Sequence, residues 1–364
     1  MNNDLFSNDA PLKGVRVLEL ATVLAGPMAG SFWAALGADV IKVERPETGD
    51  VTRSWRVKGE GTNQSSAYYA SANSGKRVVR CDLASVEGRK WLEGELALSD
   101  VVVQNFRTKS AAHMKLDPEH WCGRHPRLIH VHLKGFAHEP GRSAYDVVVQ
   151  AEAGFMAMNG EPDGGPLRMP VAFMDVLAAH QMQSAVLAAL YAREKSDRGA
   201  SIEVWLDAAG LTGLVNRASA HWMTGQPQGR TGSAHPQIAP YGDVFKTRDG
   251  AVVTAVGNDA QFSALCQSIG APQDPRFASN PRRVNLRQEL LDFLAPYFLQ
   301  QSTSDLLVRA KESHIPLGEI RSVAQALESP LGRSMLLEEM QDGAPTKRVR
   351  PTAFRIQSSG RSST

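Results

Sequence analysis

Apolar positions in the N-terminal half of the chain change between two spacings. Compact runs of Val, Leu and Ile predict buried strands at 14–20, 38–44, 77–83, 101–106 and 127–136. Wider spacing predicts helices over 28–37, which Gly37 is placed to end, and over 86–98. Parallel strands joined by helices form right-handed crossovers. This half therefore predicts an α/β fold with a mainly parallel sheet covered by helices.

The pattern changes after about residue 145. It predicts a short helix over 145–160 ending at Gly160, a long helix over 176–195, a strand over 201–206 and a helix over 207–223. A Gly- and Pro-rich loop follows at 225–240, then a hairpin over 243–256 with Asp249 and Gly250 at its turn. Helices near 260–269, 285–300 and 303–312 complete a smaller α+β lobe. The basic tail from about Pro345, which ends in GRSST, is expected to fray.

Composition narrows the class of protein. A length of 364 residues suits two domains, and 42% apolar residues allow an ordinary core. The formal charge of +2 argues against a nucleic-acid partner. Cys81, Cys122 and Cys266 lie far apart, which predicts no disulfide framework, no structural zinc and a reducing compartment. The polar start and the short apolar run at 185–192 predict no secretory signal and no membrane span, hence a cytoplasmic protein.

Several familiar sites are disfavoured. The turn after the first strand reads LAGPMAG rather than GxGxxG, so a hydride-transfer dinucleotide site is not favoured. Neither a P-loop nor a GxSxG elbow occurs. His130 and His132 share one face of a strand, but no HExxH or carboxylate cluster accompanies them, so we interpret them as structural and predict no metal.

One carboxylate and several basic residues remain. Asp175, in PVAFMD, directly precedes the long predicted helix. It could cap that helix, which is the commoner role, or serve as a nucleophile kept ionised by the helix N-terminus. Basic residues cluster at predicted strand ends and point to an anionic ligand: Arg45, Lys76, Arg77, Arg107 and Lys109.

The chain resembles the class III CoA-transferases, the group that includes formyl-CoA:oxalate and carnitine CoA-transferases and α-methylacyl-CoA racemases. The resemblance covers about residues 12–355 and follows an ordered series of segments: GVRVLELATVLAGPMAGSFWAALGADVIKVERPETGD, NSGKRVVRCDL, VVVQNFR, HPRLIHVHLKGF, YDVVVQAEAGFMAMNGEP, PVAFMD, AHPQIAPYGDVFKTRDG and VGNDAQF. It implies a large Rossmann-like domain from 1–205 and 330–364 and a smaller α+β domain at 225–325. It also implies a homodimer whose subunits interlock like rings.

The resemblance further implies a chemistry. Asp175 matches the family's catalytic aspartate, so nucleophile becomes the preferred role, with capping compatible. Its carboxylate would attack an acyl-CoA thioester to give a mixed anhydride, and CoA would return to form an aspartyl-CoA thioester. No cofactor is bound permanently, because CoA and acyl-CoA are substrates. The CoA contacts carry over by position onto Val23, Arg45, Asn105, Phe106 and Met114, with Lys76 a weaker candidate.

Departures from the family pattern bear on the substrate. Leu24 and His113 stand where the formyl-CoA transferases have a glutamine and an arginine, and this chain lacks the glycine-rich flap of that subgroup. Oxalate and formate are therefore disfavoured as substrates. Tyr145 precedes Asp146 where the racemases have a histidine, which disfavours the alternative of an acyl-CoA racemase or epimerase. His235 and Tyr241 are candidates for lining the acyl pocket. A dicarboxylate is the expected acceptor. The chain end after Phe354 is expected to lack the last helix that many relatives have.

A CoA-binding protein without turnover is a further alternative function.

Overall fold

One sheet of six parallel strands organises the first part of the computed structural model, which describes residues 9–62 and 65–357. The spatial order is β3-β2-β1-β4-β5-β6, and every neighbouring pair is parallel. The strands are β1 (Arg16–Glu19), β2 (Asp39–Glu44), β3 (Arg77–Arg80), β4 (Val101–Gln104), β5 (Ile129–Lys134) and β6 (Ala200–Trp205). This is the Rossmann order, whose direction reverses between β1 and β4. The predicted parallel α/β fold is confirmed.

The helices between residues 25 and 224 are α1 (Ala25–Ala35), α2 (Ala67–Ala72), α3 (Val86–Leu98), α4 (Thr108–His113), α5 (Pro118–Cys122), α6 (Asp146–Glu152), α7 (Phe155–Met158), α8 (Phe173–Ser196), α9 (Leu206–Thr212) and α10 (Asn216–Thr224). A short 3₁₀ turn spans Val51–Ser54. Alternate strand residues feed two apolar cores, one beneath α1 and α8 and one beneath α3 to α5. No helix of the described part is long and apolar enough to cross a membrane.

The strands are shorter than predicted, mainly at their carboxyl ends. Pairing ends at Glu19, Gln104 and Lys134, and the residues after these points turn away from the sheet. The sequence pattern continued apolar through these turns, because the side chains still face the interior. The turns matter for the site, because the carboxyl ends of parallel strands line the crevice of such a sheet.

The long helix begins earlier than predicted. Helix α8 starts at Phe173 with Ala172 as its N-cap residue, so Asp175 lies inside the first turn. The interpretation of Asp175 as the N-cap is therefore wrong. Two other predicted helices are each broken in two, at Gly154 (φ +86°) and at Val215 (φ +41°), where the backbone leaves the right-handed helical region.

A second compact unit comprises Met156–Arg168 and Gly225–Ser329, so the segment 156–168, assigned to the large domain from sequence, clusters here. It contains β7 (Tyr241–Lys246), β8 (Ala251–Ala255), α11 (Asp259–Ile269), a 3₁₀ turn at Pro275–Phe277, α12 (Asn280–Asn285), α13 (Arg287–Leu299), α14 (Thr303–Glu312), β9 (Leu317–Glu319) and α15 (Val323–Glu328). The predicted hairpin is confirmed, and β9 adds an antiparallel third strand that the sequence pattern did not indicate. The unit has its own apolar core.

The chain from Pro330 returns to the first unit as α16 (Pro330–Ser334), β10 (Leu336–Gln341) and β11 (Ala344–Val349). The prediction that the chain frays from about Pro345 is wrong, because β11 pairs with β10 and buries Thr346 and Arg348. Arg348 Nη1 donates to the Ala70 carbonyl at 2.7 Å, which fixes the hairpin to α2. The final GRSST lies outside the described residues.

Candidate active site

A cavity of about 390 Å³ opens where the strand order reverses. It lies at the carboxyl ends of the strands, the usual ligand crevice of a doubly wound sheet. Its lining comes from the turns after β1, β4 and β5 and from the starts of α1, α6, α8 and α9. The candidate residues that line it are Val23, Leu24, Asn105, Phe106, Arg107, Tyr145 and Asp175. The fold thus brings most of the sequence-predicted site together.

The turn between β1 and α1 has an unusual backbone. Val23 has φ +74°, a left-handed conformation that strains a β-branched residue. Its neighbour Thr22 is held from both sides by one amide: Thr22 N donates to Asn105 Oδ1 at 3.1 Å, and Asn105 Nδ2 donates to the Thr22 carbonyl at 2.9 Å. The amide of Asn105 therefore ties together the two turns on either side of the switch point.

Asp175 lies in this cavity beside a second carboxylate. Asp146 Oδ1 accepts hydrogen bonds from Met174 N at 2.7 Å and from Asp175 N at 3.3 Å, and its Oδ2 accepts one from Gln150. Asp146 thus caps the start of α8 from a neighbouring helix. This role of Asp146 was not predicted, because the cap lies far away along the chain.

Burial, and then the charge of Asp146, raise the pKa of Asp175 to about 7. A helix N-terminus favours the ionised form of a nearby carboxylate, which is the sequence-based expectation for Asp175. Burial and the neighbouring charge outweigh that effect, so Asp175 is about half ionised near neutral pH. A partly buried carboxylate with a perturbed pKa in a cleft is typical of a reactive group.

Tyr68, on α2, belongs to the same electrostatic environment and was not identified from sequence. Burial, followed by the charges of Asp175, Asp146 and Asp50, raises the pKa of its phenol to about 12. The phenol therefore stays protonated and can donate a hydrogen bond. Trp55 packs edge-on against its ring at 5.0 Å between centroids. No local motif marks Tyr68, since only tertiary structure brings α2 near α8.

Strand β5 contributes His132 and Lys134 to the cavity. His132 Nε2 lies 2.8 Å from the Phe106 carbonyl, and since a carbonyl only accepts, this nitrogen carries the proton. Burial lowers the pKa of His132, so the ring is neutral at pH 7. Lys134 pairs with Glu203 on β6. Alternation along a strand ending at the crevice is the signal that could have identified both residues.

The histidines do not form a metal site. His130 donates from Nε2 to the Leu116 carbonyl at 2.9 Å, and burial lowers its pKa to about 4. Within residues 9–62 and 65–357, no three His, Cys, Asp or Glu side chains are grouped to hold a metal ion. Each of these two histidines is instead bonded to a backbone carbonyl.

The other predicted site residues lie elsewhere. Arg45 is exposed just after β2, and Met114 lines a separate shallow groove together with His113 and Lys115. The prediction that Lys76 contacts CoA is corrected, because its ammonium is fully enclosed and bonds Glu19 at 2.7 Å and the Pro27 carbonyl at 2.7 Å. Lys76 therefore forms interior contacts rather than a ligand contact.

His235 and Tyr241 belong to the second unit. Their rings pack edge-on at 5.2 Å between centroids, and His235 N donates to the Tyr241 carbonyl at 2.7 Å. Their assignment to the acyl pocket stays a prediction.

Comparison with known proteins identifies the family. The model of CoA-transferase family III matches residues 12–363. The chain is 37% identical to a succinate–glutarate CoA-transferase from Agrobacterium fabrum, over 95% of this chain and 90% of the relative, and 32% identical to the human succinyl-CoA:glutarate CoA-transferase, over 97% and 80%. A CaiB/BaiF family protein from Brucella suis has a similar crystal structure, with a TM-score of 0.83, 35% identity and coverage of 96% and 93%. The chain therefore belongs to CoA-transferase family III and is a CoA-transferase.

Proposed function

We propose that this enzyme transfers CoA from a dicarboxylyl-CoA, such as succinyl-CoA, to a dicarboxylic acid, such as glutarate, with Asp175 as the nucleophile. The observation that carries the proposal is the placement of Asp175. A half-ionised carboxylate faces a cavity at the switch point of the sheet, beside the turns that match the family's CoA contacts.

The transfer proceeds through four acyl exchanges. The Asp175 carboxylate attacks the thioester carbonyl of the donor, and the C–S bond breaks to release CoA thiolate. The thiolate attacks the Asp175 carbonyl of the mixed anhydride, which gives an aspartyl-CoA thioester and frees the donor acid. The acceptor carboxylate then displaces the thiolate from Asp175. Finally the thiolate attacks the acceptor's carbonyl, which restores the Asp175 carboxylate and completes the new acyl-CoA.

The environment of Asp175 suits this cycle. A carboxylate whose pKa is about 7 is more basic, and so more nucleophilic, than an exposed one, yet a large fraction is ionised at neutral pH. The amide of Asn105 and the imidazole of His132 fix the turns that surround it. The turns that line the cavity around the reacting groups are therefore held in place by hydrogen bonds.

CoA would bind along the edge that carries Val23, Asn105 and Phe106. Arg45 suits the phosphates, because a guanidinium binds phosphate with two hydrogen bonds and its own head group is exposed. Met114 would contact the nucleotide end. For the acid, Arg107 places positive charge on the cavity wall, which suits the second carboxylate of a dicarboxylate. The names of the two CoA-transferase relatives support this class of substrate.

The experiment compares three proteins with succinyl-CoA and glutarate. Wild type should form glutaryl-CoA, and hydroxylamine added during turnover should convert Asp175 to its hydroxamate, detected by peptide mass spectrometry. Asp175→Asn should form neither. Asp197→Asn is the matched control, because Asp197 lies at the opposite end of α8 with its side chain exposed, and it should behave as wild type. An active enzyme whose Asp175 is never modified contradicts the proposal.

We also propose the interlocked homodimer. Large apolar side chains of α8 to α10 are strongly exposed in the single chain: Tyr191, Leu211, Val215, Trp222 and Met223. A mass near twice 39.5 kDa by light scattering is expected. Tagged and untagged dimers should exchange subunits only after unfolding, since linked rings cannot separate while folded. Rapid exchange under native conditions would contradict the interlocking.

A further inference from the structure

We propose that Asp50 is a positioning residue for CoA binding: it holds the strained Val23 turn in the conformation that binds CoA. The inference rests on the proposed function and adds a residue that makes no contact with the substrate. Asp50 follows β2 by six residues, and its side chain is fully buried. Val23 N donates to its two oxygens at 3.4 and 3.3 Å.

Asp50 belongs to a buried charge cluster of two carboxylates and two ammonium groups: Glu19, Lys42, Asp50 and Lys76. Lys42 Nζ lies 3.0 Å from Glu19 and 3.1 Å from Asp50, while Lys76 Nζ lies 2.7 Å from the other Glu19 oxygen. All four side chains have no solvent exposure. Replacing such clusters by apolar groups is often neutral or stabilising, so stability alone is a weak reason for it.

The contacts of this cluster give a better reason. Lys42 donates to the Ala21 carbonyl at 2.9 Å, Asp50 accepts from Val23 N, and Lys76 donates to the Pro27 carbonyl at 2.7 Å. Three points of the β1–α1 segment are thus held from one side, while Asn105 holds Thr22. Helix α1 accommodates the cluster only because residue 30 is glycine: a Cβ there would lie 1.9 Å from Glu19 Oε2.

The strain at Val23 explains why an anchor is needed. A valine at φ +74° relaxes toward negative φ unless its surroundings prevent this. Asp50 is held rigidly for the task, since its Oδ1 accepts from Thr52 N at 3.0 Å and from Thr52 Oγ1 at 2.8 Å. In Asp50→Asn, the new NH₂ group must face either the Thr52 donors or the Lys42 and Val23 donors. Either orientation removes an acceptor and loosens the turn.

The test measures the Kd of free CoA by titration calorimetry on the full-length enzyme. Asp50→Asn should raise the Kd about tenfold. The matched control is Asp100→Asn at the opposite edge of the sheet, where Asp100 likewise accepts a backbone N–H, from Arg16 at 2.8 Å, and pairs with Arg193 at 2.9 Å. The control should be destabilised but should keep its CoA Kd within about twofold of wild type.

A rescue separates positioning from general damage. Glycine adopts φ +74° without strain, so Asp50→Asn should raise the Kd of CoA by a smaller factor in a Val23→Gly background than in wild type, and Val23→Gly alone measures the loss of the valine side chain. A merely structural role of Asp50 predicts the same factor in both backgrounds, and that result would overturn the proposal. If Asp50→Asn does not fold, Thr52→Val replaces it, because that change leaves all four charges in place and should still raise the Kd about threefold. An unchanged Kd would overturn the positioning role alone, whereas wild type that binds no CoA would contradict the proposed function as well.

Discussion

Two pairs of acidic residues near the same edge of the sheet have opposite electrostatic environments. In the buried charge cluster, Glu19 and Asp50 face Lys42 at 3.0 and 3.1 Å. Burial alone would raise the pKa of Asp50, but Lys42 and the Thr52 hydrogen bonds outweigh it and lower that pKa. Among the residues that the structure describes, no cationic side chain forms an ion pair with Asp175 or Asp146, and there burial and the charge of Asp146 raise the pKa of Asp175 to about 7. The comparison separates carboxylates that hold the structure from one that can react.

The largest effect is expected on CoA transfer, from a change at Asp175. Asp175→Asn removes the nucleophile while keeping the size of the side chain. We expect CoA transfer to fall by at least about 10⁴-fold, as for other enzymes that lose a group forming a covalent intermediate. CoA binding should persist, which calorimetry can check. Residual transfer within about tenfold of wild type would contradict the role of Asp175.

At the paired site the expected loss is in stability. Lys42→Met leaves the buried Asp50 carboxylate without its cation and Glu19 paired with Lys76 alone, which should lower the free energy of unfolding by about 3–5 kcal/mol in urea titrations. Adding Asp50→Asn to Lys42→Met removes the orphaned charge. The double variant should therefore be more stable than the sum of the two single losses. Strict additivity would show that the charges are not coupled.

Asp146→Asn tests the electrostatic coupling between Asp146 and Asp175. The asparagine Oδ1 can still accept from Met174 N, but the negative charge beside Asp175 is gone. Because that charge raises the pKa of Asp175, the acid limb of the transfer rate should move down by about one pH unit, and the rate at pH 8 should change by less than about tenfold. An acid limb that does not move would mean that the two carboxylates are not coupled.

The last expected effect is on stability as a function of pH. Since folding raises the pKa of Asp175, the proton it holds stabilises the fold below about pH 4, and this contribution is lost as pH rises through about 7. Asp175→Asn lacks this titration. Its free energy of unfolding relative to wild type should therefore rise by about 2 kcal/mol between pH 5 and pH 8, measured by urea unfolding at both values. A constant difference would show that folding does not raise the pKa of Asp175.

The sequence predicts the sheet well, because runs of Val, Leu and Ile separated by helical spacing leave few alternatives for 38–44 or 101–106. It predicts Asp175 and Asn105 through the family pattern. It fails where charge partners are distant along the chain. The sequence makes Lys76 a weaker candidate for a CoA contact, although its ammonium bonds Glu19, 57 positions earlier in the sequence. The roles of Asp146 and Tyr68 are not predicted for the same reason, since only packing places them beside Asp175.

The most direct test of the central claim follows oxygen. Glutarate labelled with ¹⁸O in its carboxylates is supplied with succinyl-CoA for a few turnovers, and the peptide containing Asp175 is then weighed. Attack by the labelled carboxylate on the aspartyl thioester, followed by thiolate attack on the glutaryl carbonyl, leaves the bridging oxygen on Asp175. A gain of ¹⁸O in that peptide alone is expected. Formation of glutaryl-CoA with an unlabelled Asp175 would contradict it.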